Sequence, residues 1–537
     1  MYDYVIVGAG SAGCVLATRL SEDPNISVLL LEAGGADTNQ LIRIPAAWPA
    51  LMRTEVDWDL STGYEPQCNN RRVYLPRGKV LGGSSSTNGG IYIRGHRRDF
   101  DEWREAGCDG WGWDDLLPYF IRAEDNERGA SDLHGVGGPM KVSDVRYRNA
   151  NQQAFIDAAL GHGLPPNEDF NGPMQEGVGW YQTNTRDGMR ESAASAYLHP
   201  VINRPNLTVR TRVHALKILF DGTRAVGVAG TRLDEQLGFR AEREVIISAG
   251  AYGSPQLLML SGIGRPDALV PLGIKPVAEL PGVGVNLQDH TVCGLAFLAK
   301  NDDTLFGAFN EANLELLARG EGPLTGPGNQ AGGFARTSPE LDIPDVQLFC
   351  VPALFVDEGL VPPHTHGVSL AACVTKPVST GYLALVSPDP TAKPLIMHNY
   401  YTEPIDLHTQ IAAIRLCMQI AHSEPLTSRL GDPVLHPTTH SESAIAAHIR
   451  QHTQTSYHAT SSCKMGTDGL AVVDLELRVR GVDALRVVDA SIMPSVPRGN
   501  TGAATVAIAE KAADLIRGRT HTAATSSATT PGTGVPV

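Results

Sequence analysis

No run of about 18 uninterrupted apolar residues occurs in the chain, so nothing in it reads as a membrane-spanning helix. There is no C-x-x-C pair. The eight cysteines (Cys14, Cys68, Cys108, Cys293, Cys350, Cys373, Cys417 and Cys463) are scattered, which reads as reduced, buried thiols and not as a disulfide framework or a zinc site. There is no H-E-x-x-H. His448 and His452 stand four apart, but no cysteine completes a set, so no metal is expected. No basic segment and no apolar signal core follow Met1, and a cytoplasmic protein is expected. Long basic runs are missing too. With 44 basic against 58 acidic residues the net charge is −14, which repels nucleic acid and anionic membrane and mildly favours a cationic substrate. No internal repeat is visible.

What is present is a chain of 537 residues, too long for one compact core, with two or three domains that can interleave. Its first 35 residues read as one βαβ unit. Tyr4-Val5-Ile6-Val7 is a β-rich run. Gly8-Ala9-Gly10-Ser11-Ala12-Gly13 then turns into a helix whose apolar face is Cys14, Leu16, Ala17 and Leu20. Asp23-Pro24-Asn25 stops that helix, and a second strand, Val28 to Leu31, ends at Glu32. Strand, helix and strand in this order imply a parallel sheet with a right-handed crossover.

Gly82 to Gly90 is so rich in small residues that it makes a poor helix and a poor strand, yet it permits backbone to lie against a flat ligand. Residues 207–249 read mainly as β, with Val245-Ile246-Ile247 a buried strand. Residues 300–450 carry scattered signals and no dinucleotide pattern. A strand at Arg486 to Asp489 leads through a loop to a helix at about Thr505–Arg517. The end of the chain, 518–537, is rich in Thr, Ala, Ser, Gly and Pro and reads as a disordered tail.

Gly8, Gly10 and Gly13 fit a dinucleotide fingerprint: one for the tight turn, one for close approach of a pyrophosphate, one for packing helix on strand. The pyrophosphate would sit at a helix N-terminus, where unpaired N–H groups favour anions. Glu32 is placed to accept hydrogen bonds from a ribose diol. These residues together specify a dinucleotide, without separating FAD from NAD.

Three longer stretches make that separation. Gly78-Lys79-Val80-Leu81-Gly82-Gly83-Ser84-Ser85-Ser86-Thr87-Asn88, continuing through Tyr92 and Gly95 to Asp101, is one. Gly250 to Gly264 is the second, and Gly282 to His290 the third. In these the chain resembles the glucose–methanol–choline (GMC) oxidoreductases over about residues 2–517. The resemblance implies FAD as cofactor and an α/β fold (α+β overall). A Rossmann-like FAD-binding domain (1–150, 200–300 and 455–517) would be interleaved with a substrate-binding domain (151–199 and 301–454) built on an antiparallel sheet with helices. It adds Ser11, Ala12, Ala33, Gly82, Thr87, Asn88, Gly89, Val213, Asp489, Ala490, Asn500 and Thr501 to the cofactor contacts. Some members carry a flavin-linking histidine where this chain has Thr87, so the FAD is expected to be noncovalent. Where the family often reads Gly-Asn-Thr-Asn, this chain has Gly499-Asn500-Thr501-Gly502.

The segment Tyr457-His458-Ala459 with Ser462 to Gly466 resembles the one that holds the family's active-site histidine, which falls on His458. Asn500 falls where members have histidine or asparagine. The resemblance thus implies oxidation of an alcohol, a primary one to its aldehyde, with His458 as base and Asn500 holding the substrate oxygen. Reduced flavin would pass its electrons to oxygen or to a quinone or protein acceptor. Candidate substrates include choline-like amino alcohols, amino sugars of the aminoglycoside type, and aromatic or aliphatic alcohols. The same fold also hosts hydroxynitrile lyases and a photodecarboxylase, which is the alternative reading.

Overall fold

The computed structural model describes residues 1–233 and 235–519. Its first strand, β1 (Tyr2–Val7), pairs in parallel with β2 (Val28–Leu31), and α1 (Ser11–Leu20) crosses between them. All four residues of β2 are buried, as expected of a parallel strand covered on both faces. The sheet continues in parallel to Leu207–Arg210 on one side of this pair. On the other side it continues to Glu235–Ile247 and then Leu485–Val487. The outer half of Glu235–Ile247 leaves this arrangement and forms an antiparallel meander with His214–Asp221 and Arg224–Arg232.

One edge of this sheet matters for function. Gly8, Glu32, Ser248 and Asp489 follow the C-terminal ends of four parallel strands. Parallel α/β sheets bind ligands at that edge, because helix N-termini and loops gather there.

A second sheet is antiparallel throughout. Its order is Leu430–Leu435, Thr291–Ala299, Gly367–Val374, Val346–Val351, Ala331–Ala335, Gly177–Trp180, with Gln454–Thr455 pairing to Thr291–Ala299. Helices Ala150–Gly161 and Pro404–Ala421 cover one face, packing Phe155, Ala158, Ile414 and Cys417 onto Leu295, Leu348 and Leu370. Side chains alternate across a strand, so Val292, Gln347, Phe349 and Ala371 point the other way, toward the nucleotide-type sheet. Thr291–Ala299 lies inside the 200–300 segment expected to serve the first sheet, yet it pairs in the second.

The local expectations shift only at their ends. The strand read as Arg486 to Asp489 stops at Val487, because the Asp489 side chain caps a short turn, Ala490–Ile492, by accepting from Ser491. The last helix begins at Gly502, three residues early. A single 3₁₀ turn, Gly83–Ser86, occupies the small-residue stretch. All eight cysteines are free and buried. His448 Nε2 meets the Gly294 carbonyl at 2.9 Å, and among the described residues no three His, Cys, Asp or Glu side chains gather as a metal would require. Among those residues no helix is long and apolar enough to cross a membrane. Of the tail expectation, residues 520–537 lie outside the described residues.

Candidate active site

A cavity of about 700 Å³ runs between the two sheets, from Gly8 and Glu32 at one end to His458 and Asn500 at the other. Gly8, Gly10, Ser11, Ala12, Glu32, Ala33, Thr87, Asn88, Gly89, Val213, Asp489, Ala490, Asn500 and Thr501 all border it. Gly13 and Gly82 do not, and the backbone explains why. A Cβ on Gly13 would lie 1.9 Å from the Gly8 carbonyl oxygen, so this glycine seats α1 on the turn and leaves the ligand to others. Gly82, at φ +87°, donates its N–H to the Ala9 carbonyl at 2.8 Å and ties the small-residue turn to the fingerprint. Gly83, given no role by the sequence, touches the cavity instead. A Cβ there would come within 2.7 Å of Gly10 Cα, so two bare backbones meet at the cavity wall.

These residues fit FAD. The first turn of α1 has no side-chain cap, so its N–H groups are open to an anion such as a pyrophosphate. Glu32 borders the same end. Its two carboxylate oxygens already accept from Ala9 N (2.9 Å) and Gly34 N (2.8 Å), with lone pairs left for a ribose diol. Burial pushes this carboxyl up to about 7, despite those bonds and nearby Lys79. A diol donating to the ionised form would draw it down again. FAD affinity should therefore rise with pH between about 4.5 and 7, as titration of apoprotein with FAD would reveal. Glu32→Gln should remove that rise and weaken binding by about 1–3 kcal/mol. An unchanged pH dependence in the variant would show that Glu32 only braces the turn.

At the other end, His458 is 8% exposed and sits between two left-handed residues, Tyr457 (φ +68°) and Ser461 (φ +73°). Backbone in that region is strained for residues with a Cβ, and several bonds hold it. Asp289 accepts the His458 N–H at 2.8 Å and also takes the hydroxyls of Tyr400 and Thr455. Arg77 Nη1 donates to the Tyr457 carbonyl at 2.7 Å. The imidazole is fixed at both nitrogens. Nδ1 lies 2.9 Å from Nδ1 of His290, and Nε2 lies 3.1 Å from the Asn500 amide nitrogen. Gln347 donates to Asn500 Oδ1 at 3.2 Å, which turns the amide's N–H toward His458. With that amide donating, Nε2 carries the lone pair and Nδ1 the proton. Burial first, then His290 and Arg77, hold His458 well below the ordinary imidazole range, so its ring is neutral at physiological pH. Burial likewise lowers His290 to about 4.

The structure thus brings His458 and Asn500 together across 42 residues of sequence. Sequence reasoning missed His290, Asp289, Arg77 and Gln347. His290 and Asp289 close the Gly282 to His290 stretch already noted, so a signal existed. Gln347 sits in a strand that had none.

The models of the family described as GMC oxidoreductase match residues 2–292 and 377–509 of the chain. An alcohol dehydrogenase [acceptor] of Pseudomonas putida is 42% identical over 527 residues, covering 96% of each chain. The mitochondrial choline dehydrogenase of Homo sapiens is also 42% identical, over 96% of this chain and 90% of its own. Among solved structures, a pyridoxine 4-oxidase from Mesorbium loti superposes with a TM-score of 0.89 at 33% identity, covering 97% of this chain and all of that one.

Proposed function

The chain belongs to the GMC oxidoreductase family, FAD-dependent enzymes that act on CH–OH donors, and from that premise we propose that it oxidises a primary alcohol to its aldehyde with His458 as proton acceptor. The carrying observation is a neutral His458 whose Nε2 lone pair borders the cavity and is met by the Asn500 amide alone. A carbinol hydroxyl that enters here displaces the Asn500 bond to Nε2 and gives its proton to that nitrogen. The Asn500 N–H holds the oxygen as negative charge builds there, acting where water is largely excluded. His290 accepts from Nδ1–H and keeps the ring in the one tautomer that puts the lone pair on Nε2. FAD, when bound, supplies the acceptor for the carbinol hydride. Asp289 and Arg77 hold the loop that carries His458 and so set its distance from the substrate.

In this reading the first sheet with its loops (1–150, 200–300 and 455–517, apart from Thr291–Ala299) holds the cofactor. The 151–199 and 301–454 segments then form the substrate wall. Oxygen-free mixing of the yellow protein with primary alcohols should bleach it and yield one aldehyde per flavin. A protein that stays yellow with every alcohol, yet turns over a hydroxynitrile, would refute the reading.

Thr87 borders the cavity and its N–H is bonded to the Ser84 carbonyl at 3.1 Å. A threonine hydroxyl does not form the covalent flavin link that a histidine can, so the FAD is proposed to be noncovalent. Acid precipitation should leave a yellow supernatant over a colourless pellet. A washed pellet that keeps its colour would disprove it.

A further inference from the structure

We infer that the substrate is an uncharged alcohol with an apolar body, selected by the sheet floor beside His458; this rests on the alcohol oxidation proposed above. The floor follows from strand geometry. In Val346–Val351 the residues Gln347, Phe349 and Val351 share one face, and Gln347 reaches Asn500 while Phe349 and Val351 border the cavity. Ala371 is the cross-strand partner of Phe349, and Val292 borders the cavity one strand further on. Trp48 and Phe355 add a wall, with ring centroids 5.8 Å apart. The surface that meets the body of a substrate at His458 is therefore mainly hydrocarbon and aromatic, with Tyr457 completing the aromatic wall and carrying a buried hydroxyl without a partner among the described residues.

Among the described residues no carboxylate borders the cavity at that end; Glu358 acts on Tyr457 from behind the wall and accepts from Tyr74 N at 2.7 Å. Three acids border the cavity, and each is committed to backbone elsewhere. Glu32 holds Ala9 and Gly34. Asp57 accepts from Arg53 N and Arg77 N, both at 2.9 Å, and from the Tyr74 hydroxyl. Asp489 holds Gly250 N and Ser491 N, both at 2.8 Å, and the Ser254 hydroxyl. Asp289 stands behind the His458 backbone with both oxygens engaged. The fixed charge that acts on His458 is the Arg77 guanidinium, which repels a cation.

A desolvated ammonium without an anion is costly, and aromatic faces offset only part of that cost. The net charge of −14 does not alter this, because surface charges are screened over about 8 Å at physiological salt. An uncharged substrate departs from the cationic one expected from composition.

The test compares choline with its all-carbon isostere, in which a tert-butyl group replaces trimethylammonium. The two match in shape and differ in charge. With the FAD-loaded enzyme, kcat/KM should favour the isostere by about 100-fold or more. Equal rates, or a preference for choline, would overturn the inference while leaving alcohol oxidation intact. If neither compound nor any straight-chain or benzylic alcohol reduces the flavin, the alcohol reading itself fails and takes this one with it. Phe349→Ala supplies an independent check. It should raise KM for the isostere about 10-fold with FAD content unchanged and kcat little altered, the pattern of lost uniform binding. An unchanged KM would mean that Phe349 does not touch the substrate.

Discussion

Replacing His458 with alanine is expected to lower kcat by about 10²–10⁴-fold, the range typical of a positioned general base. FAD content should hardly change. The imidazole bonds only His290 and Asn500, and neither bond reaches the nucleotide end of the cavity. The backbone bond from residue 458 to Asp289 survives the substitution, so the loop keeps its anchor. What is lost is the imidazole acceptor at the proposed carbinol position. Asn500→Ala should cost less, since it removes one neutral donor and leaves the base in place. It also frees Gln347, whose amide then loses its partner. Steady-state rates together with flavin content per chain would check both variants. Near-normal turnover in His458→Ala would assign the proton to another group.

The second large effect separates two glycines of one fingerprint. Gly13→Ala places a Cβ 1.9 Å from the Gly8 oxygen and 3.0 Å from the Gly8 carbon, both backbone atoms that cannot yield. Helix α1 must then lift from the turn, at a cost of about 3 kcal/mol or more, and both stability and FAD should be lost. Gly10→Ala behaves differently. The nearest atom to its Cβ is Gly83 Cα, at 3.9 Å, and its φ of −77° suits any residue. The apoprotein should keep its melting temperature while FAD binding weakens, because the methyl group occupies the ligand's side of the turn. Melting curves of both apoproteins, with FAD titrations, would decide. Equal destabilisation by the two changes would contradict this division of roles.

The two ends of the cavity were not equally legible. The βαβ unit is local: its strands, its glycine turn and its stop at Asp23-Pro24-Asn25 fall within about 35 residues, so pattern and turn chemistry suffice. The role of Glu32 was only half visible, because its bonds to Ala9 and Gly34 depend on how the turn closes. His458 and Asn500 were found through family motifs, and the fold brings them within bonding distance. His290 meets His458 across 168 residues, a separation that no local pattern encodes. The substrate floor was illegible for another reason. Val346–Val351 and Gly367–Val374 are almost entirely buried, so apart from Gln347 both faces are apolar or small and no polar alternation marks the strands. The net charge of −14 says nothing of the pocket wall, because composition averages over the whole surface.

The central claim, that neutral His458 takes the hydroxyl proton, is tested most directly by the pH dependence of flavin reduction under exclusion of oxygen. Burial, His290 and Arg77 hold His458 below the usual imidazole range of about 6.5. Neutral imidazole is the competent form, so the reduction rate should be flat from neutral pH upward and fall only on the acid side, through one ionisation. In His458→Ala that acid limb should vanish, and the slow residual rate should climb with pH as the alcohol's own hydroxyl ionises. An acid limb that persists in the alanine variant, or a wild-type rate that keeps rising through the alkaline range, would contradict the account.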